Sequence, residues 1–241
     1  MKIAYFDCFS GISGDMTIGA FLDAGLDFTT LSRQLAKLRL KGYELRKSKI
    51  KRGELNGTKF DCIVDRKTHG HHSLNEILSL IEKSSLNKRV KRIAADIFSN
   101  IGDAEAKVHG ISSKADIQFH ELGDIDSIID IVGTAIAIDE FEVDVVCSSK
   151  VHTGRCFVKT AHGTWPIPAP AMLELLKGVP LKISELEGEL VTPTGAGILK
   201  TLAKSFGDAP QMKVYEIGYG AGTNDYKVIP NMLRIIFGEP S

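Results

Sequence analysis

Tyr5-Phe6-Asp7-Cys8-Phe9-Ser10-Gly11-Ile12-Ser13-Gly14-Asp15-Met16 is the stretch around which the chain is organised. The apolar run Ile3, Ala4, Tyr5, Phe6 stops at Asp7, a Ser/Gly loop follows, and helical spacing resumes with Met16, Ile18, Phe21, Leu22 and Leu26. The segment therefore reads strand, loop, helix. Such a loop aims backbone N–H groups at the positive end of a helix dipole, where an anion, or a cation held by Asp7 and Asp15, could sit. Its spacing is neither the dinucleotide fingerprint nor the P-loop. The alternative is a plain structural turn with Asp15 as a helix cap. Two acids, a thiol and two hydroxyls crowded into one turn favour a site.

Outward from this turn, a short helix through Leu31, Leu35 and Leu38 is expected to be capped by Thr29 or Thr30. Tyr43 to Ile50 and Thr58 to Val64 alternate like a hairpin joined through Gly53 to Gly57. Ser73 caps a helix carrying Leu74, Ile77, Leu78 and Ile81, and Asn87 opens a longer one reaching His109-Gly110. From Gly123 to Phe141 the pattern is apolar nearly all round, the mark of a buried helix. Val143 to Val146 reads as the following strand and Val151 to Val158 as a strand pair or a strand with a bulge. His162 to Pro170 reads as a stiff loop opening a helix at Ala171, and Thr192-Pro193-Thr194-Gly195 as a second loop-to-helix turn. Met212 to Gly220 and Met232 to Phe237 close the chain as strands. Alternating strands and helices without a repeat place the chain in the α/β class, with a mixed sheet or sheets and helices packed on the faces. No linker or domain boundary stands out, so residues 1–241 are read as one region of one or two lobes.

With 30 Lys+Arg against 30 Asp+Glu, the chain has no basic excess to draw it to nucleic acid or anionic lipid. No stretch approaches the ~20 apolar residues of a membrane span, and no signal core follows the N-terminus, so the cytoplasm is the expected compartment. Cys8, Cys62, Cys147 and Cys156 are far apart, which argues against a disulfide framework and a structural zinc site.

Two constellations carry metal chemistry. His69-Gly70-His71-His72 puts three imidazoles into four residues, suited to nickel, copper, zinc or iron; the competing reading is a solvated turn. In His120-Glu121-Leu122-Gly123-Asp124-Ile125-Asp126-Ser127-Ile128-Ile129-Asp130, Asp126 and Asp130 are four apart on an apolar helix. Like charges so placed need compensation from a metal, a basic side chain or backbone N–H groups. His162 before the proline-rich loop is a further candidate, with His152 behind it. Thr192, Thr194 and Gly195 could cradle a phosphate. Cys8 lacks a histidine tied to it by local spacing, so a Cys/His hydrolase is not indicated.

These segments resemble the nickel insertion protein LarC family: YFDCFSGISGDM, HGHHSL, FHELGDIDSIIDIVG, HGTWPIPAPA, ELVTPTGAGIL and GYGAGTNDY occur in order over nearly the whole chain. The resemblance implies a nickel chelatase that inserts Ni(II) into a pyridinium bisthiocarboxylic acid mononucleotide for the pincer cofactor of lactate racemase, with CTP hydrolysed to CMP and pyrophosphate. It implies that CTP and its Mg or Mn ion bind a C-terminal region beyond the segment matched here, supplied by the same or a companion chain. Lactate racemase apoprotein and oligomerisation are further partners it suggests.

On that resemblance the histidine loop (His69, His71, His72) stores or relays nickel, and Asp15, Glu121, Asp126 and His162 are metal candidates. Ser10, Gly11, Ser13 and Gly14, with Thr192, Thr194 and Gly195, hold the substrate. A base must take the ring proton when the carbon–nickel bond forms, and Asp7 or His120 is expected to be that base. A metal-dependent hydrolase of a phosphorylated small molecule is the alternative enzyme, and a non-catalytic scaffold of the chelatase the alternative role.

Overall fold

The opening strand and helix form as their pattern requires: β1 (Ile3–Asp7) buries Ala4 and Phe6, and α1 (Gly14–Asp23) starts where Ser13 accepts the Met16 N–H as N-cap. The structure, a computed structural model, describes residues 1–65, 72–112, 117, 119, 123–160 and 163–241. The capping of α2 (Phe28–Leu35) corrects the expectation: Asp27, not Thr29 or Thr30, is the N-cap and accepts the Thr30 N–H at 2.8 Å. β2 (Tyr43–Arg52) and β3 (Leu55–Val64) form the anticipated hairpin. In α3 (Leu74–Lys83), Ser73 and Glu76 form a reciprocal capping box. Asn87 caps α4 (Lys88–His109), which ends on Gly110 in the left-handed region.

After α5 (Ile125–Glu140) come β4 (Val145–Ser148), β5 (Val151–Arg155) and β6 (Phe157–Thr160). Gly163 to Pro166, expected as loop, is β7, hydrogen-bonded antiparallel to β6. Pro166 ends that strand with its missing N–H, and α6 (Pro170–Leu175) begins one residue before Ala171. β8 (Leu181–Glu187) and β9 (Ala203–Phe206) have no counterpart in the sequence reading; β8 is mostly exposed and lacks a clean alternation. Thr192 caps α7 (Pro193–Leu202), and β10 (Met212–Ala221) and β11 (Met232–Pro240) are the closing strands.

Seven strands make one mixed sheet in the order β2-β3-β10-β11-β1-β4-β9; β5 pairs β8 and β6 pairs β7 outside it. The last strand lies antiparallel to the first, Ile3 opposite Gly238 and Asp7 opposite Arg234. Buried side chains from all seven helices join Ala4, Phe6, Leu233, Ile235 and Phe237 in one apolar cluster. On the other sheet face Ile3, Tyr5 and Cys147 form a small separate group with Ile236. Among the described residues, no helix is long and apolar enough to cross a membrane.

Candidate functional site

The β1–α1 loop is locked to the turn preceding α7. Ile12 donates its N–H to Leu190 O at 3.0 Å and accepts the Thr192 N–H at 3.1 Å, a strand-like bridge that sets two helix N-termini side by side. Gly11 makes this possible: its φ is +87°, and a Cβ there would stand 1.9 Å from the Leu190 carbonyl oxygen. A third helix, α5, joins through its second turn, where Gly14 lies so close that a Cβ would meet Asp130 Cβ at 2.5 Å.

These three starts open on one cavity of about 910 Å³, whose wall includes the three N-cap residues Ser13, Thr192 and Asp124. The positive ends of three helix dipoles therefore adjoin a common space, an arrangement that favours an anion. Thr194 also lines it, and Thr192 and Thr194 hydroxyls are hydrogen-bonded at 2.7 Å.

The same wall is strongly acidic. Asp15, Asp61, Asp126, Asp130, Glu105 and Glu189 line it, with Lys59 of β3 as its only lysine among the described residues. Lys59 is 9% exposed and reaches Asp15 at 2.5 Å and Asp61 at 3.1 Å. Burial opposes its charge, but the Asp15 and Asp61 carboxylates outweigh that and hold the ammonium above the usual lysine range. The Ser13 hydroxyl donates to Asp15 as well. Asp130, deep in the wall, accepts the backbone N–H of Asp15; burial, then the carboxylates of Asp15 and Asp126, nevertheless push its carboxyl well above the usual carboxylate range. The compensation expected for the Asp126/Asp130 pair is thus present as Lys59 and an N–H group, and it falls short of neutralising the wall.

Cys62, on the same strand as Lys59, has its thiol pushed up to about 12 by burial and then by Asp130 and Asp126. Cysteine reacts as thiolate. At pH 8 a disulfide-exchange reagent should therefore modify exposed Cys156 first and leave Cys62 intact despite its place on the cavity wall; peptide mass spectrometry of the labelled chain checks this.

Of the residues expected from sequence, Ser13, Asp15, Asp126, Thr192 and Thr194 line the cavity. Gly14 packs on Asp130, and a Cβ on Gly195 would meet Ile12 O at 2.2 Å, so both serve close approach. Ser10 is fully buried and Gly11 backs onto Leu190; neither is on the wall. Asp7 is also off the wall, paired with Arg234, whose Nε is 3.0 Å from Asp7 Oδ2. His72 abuts the start of α5, its Nδ1 donating to Gly123 O at 3.0 Å. His69, His71, His120, Glu121 and His162 lie outside the described residues. Among the described residues, no three His, Cys, Asp or Glu side chains form a ready metal cage.

Lys59, Asp61, Cys62 and Trp165 went unselected by sequence reasoning, although all four line the cavity. The available signal was Lys59-Phe60-Asp61-Cys62, charged residues inside an otherwise apolar strand.

A family model described as nickel insertion protein matches residues 4–241. A Geobacillus kaustophilus protein named pyridinium-3,5-bisthiocarboxylic acid mononucleotide nickel insertion protein is 46% identical over 248 residues, covering 99% of this chain and 60% of the relative. A Desulfitobacterium hafniense protein of the same name is 47% identical over 239 residues, covering 99% of this chain and 59% of the relative. The chain thus spans about three fifths of the length of these curated relatives. No solved structure matches it.

Proposed function

We propose that this chain, which belongs to the nickel insertion protein family, holds a pyridinium-3,5-bisthiocarboxylic acid mononucleotide in its cavity while Ni(II) is inserted into it. The observation that carries this reading is one cavity at which three helix N-termini, suited to a phosphate, meet carboxylates suited to a pyridinium and a divalent cation, with Asp15 and Asp126 in the first turns of α1 and α5 themselves. The neutral overall charge of the chain makes that local asymmetry a property of the site.

Insertion replaces a ring C–H bond by a carbon–nickel bond, the electron pair going to the metal and the proton to a base. Asp130 is assigned that proton, because it lines the cavity and its carboxyl, held above the ordinary range by burial and by Asp15 and Asp126, is a stronger proton acceptor than an ordinary carboxylate. Asp7 is committed to Arg234 and off the cavity wall, so Asp130 takes precedence over it. Lys59 holds the Asp15 carboxylate in place on the cavity wall. The histidines are assigned to nickel capture, with His72 anchored against Gly123 at the start of α5. CTP use with Mg or Mn, and contact with lactate racemase apoprotein, are assigned to the length of the relatives that this chain does not span. A cytoplasmic setting fits this chemistry.

Calorimetry with the mononucleotide and with Ni(II) tests the reading. The chain should bind one mononucleotide per cavity, and bind Ni(II) with affinity falling below about pH 6, where imidazoles take up protons. Replacing His69, His71 and His72 by alanine should weaken Ni(II) binding about tenfold or more and leave mononucleotide binding unchanged. Failure to bind the mononucleotide at millimolar concentration would sink the proposal; magnesium-supported turnover of simple phosphate esters would favour a hydrolase instead.

A further inference from the structure

The β6–β7 hairpin stands apart from the main sheet, and its register pair Val158 and Trp165 both reach the cavity wall. Directly opposed strand residues present neighbouring side chains on one face, so Val158 backs the indole. Trp165 is the single tryptophan of the chain and is half-buried. It belongs to neither apolar cluster, so core packing does not account for it. What it shares its cavity with is carboxylate: Asp15, Asp126, Asp130 and Glu189.

An indole presents a flat, electron-rich face that stacks on planar rings and attracts cations. A pyridinium is planar and positively charged at once, and the carboxylates favour the same charge. The helix N-termini favour the opposite end of the same ligand, its phosphate. Resting on the mononucleotide reading above, we infer that Trp165 is the stacking platform for the pyridinium ring and selects it by its charge. The β6–β7 ladder gives the indole a fixed mount, so the ring is held between an aromatic face and an acidic wall.

The test uses two probes that share the ribose phosphate and differ in the charge and aromaticity of the ring, nicotinic acid mononucleotide and its 1,4-dihydro form. Added to the whole chain, the oxidised probe should quench the intrinsic fluorescence saturably, because the only indole is the one it covers. Calorimetry should show the oxidised form binding about tenfold tighter than the reduced form. In Trp165→Leu that preference should vanish, with both forms binding alike through the phosphate; Trp165→Phe, which keeps a ring face, should retain part of it and serves if the leucine variant fails to fold. An unchanged preference in Trp165→Leu or Trp165→Phe, or binding by calorimetry without quenching, would overturn the role of Trp165 and leave the mononucleotide reading standing. Binding of neither form to the unaltered chain would overturn both.

Discussion

Replacing Asp130 with asparagine is expected to make the fold more stable and, on the function proposed above, to slow nickel insertion at least a hundredfold. The second effect follows from the proton-acceptor role proposed for Asp130, whose loss costs about 10²–10⁴ in rate. The first follows from the surroundings of the carboxyl, where burial and the charges of Asp15 and Asp126 disfavour ionisation. In the unfolded chain this carboxyl ionises in the ordinary range; in the folded chain it resists until a higher pH. Stability therefore falls as pH rises from the ordinary carboxylate pKa, and levels off only after the folded carboxyl has ionised. Asparagine carries no such charge, so the variant should be the more stable by about 1 kcal/mol above that window, or roughly 2–4 °C in Tm. Thermal unfolding of both proteins across a pH series reads this directly; parallel pH profiles would show that Asp130 does not carry the strain of the acidic wall.

Gly11→Ala should be the most damaging single methyl in the β1–α1 turn. Two independent costs combine: a φ of +87° that an alanine adopts poorly, and a Cβ set 1.9 Å from the Leu190 carbonyl oxygen, a backbone atom that cannot swing aside. Together they amount to about 3 kcal/mol or more, and the bridge between Ile12 and the α7 turn has to open. Gly25 provides the control, since its φ is +108° yet nothing lies within 4 Å of an added Cβ. Gly25→Ala should cost only the backbone part, about 1–2 kcal/mol. If the two variants unfold at similar temperatures, the loop contact contributes little, and mononucleotide affinity should then survive in Gly11→Ala as well.

Much of this was legible beforehand because the relevant signals are local. Ser73 with Glu76, Asn87 ahead of α4 and Thr192-Pro193 ahead of α7 are caps that a few neighbouring residues decide. The same locality misled at α2, where Asp27 outcompetes the two threonines that follow it. β8 and β9 were not legible, because their pairing with β5 and β4 comes from distant partners rather than from alternation. At the site, Ser13, Asp15, Asp126, Thr192 and Thr194 were legible as residues that begin helices. Asp7 was singled out by the same logic, but its partner Arg234 is 227 positions away, and no local pattern reveals such a pairing. Lys59 was hidden for the same reason: only the fold sets it beside Asp15.

The place of β1 in the sheet also governs how the molecule comes into being. It precedes the other described strands in the chain, yet it is flanked by β4 and by β11, whose antiparallel ladder with it includes Asp7 opposite Arg234. During translation the growing polypeptide must carry one unsatisfied margin of β1 until residues 232–240 emerge from the ribosome. Such a long-range closure is slow and leaves sticky intermediates. The pairing of β1 with β11 is therefore expected to be a late step of folding, because it joins segments more than 200 residues apart.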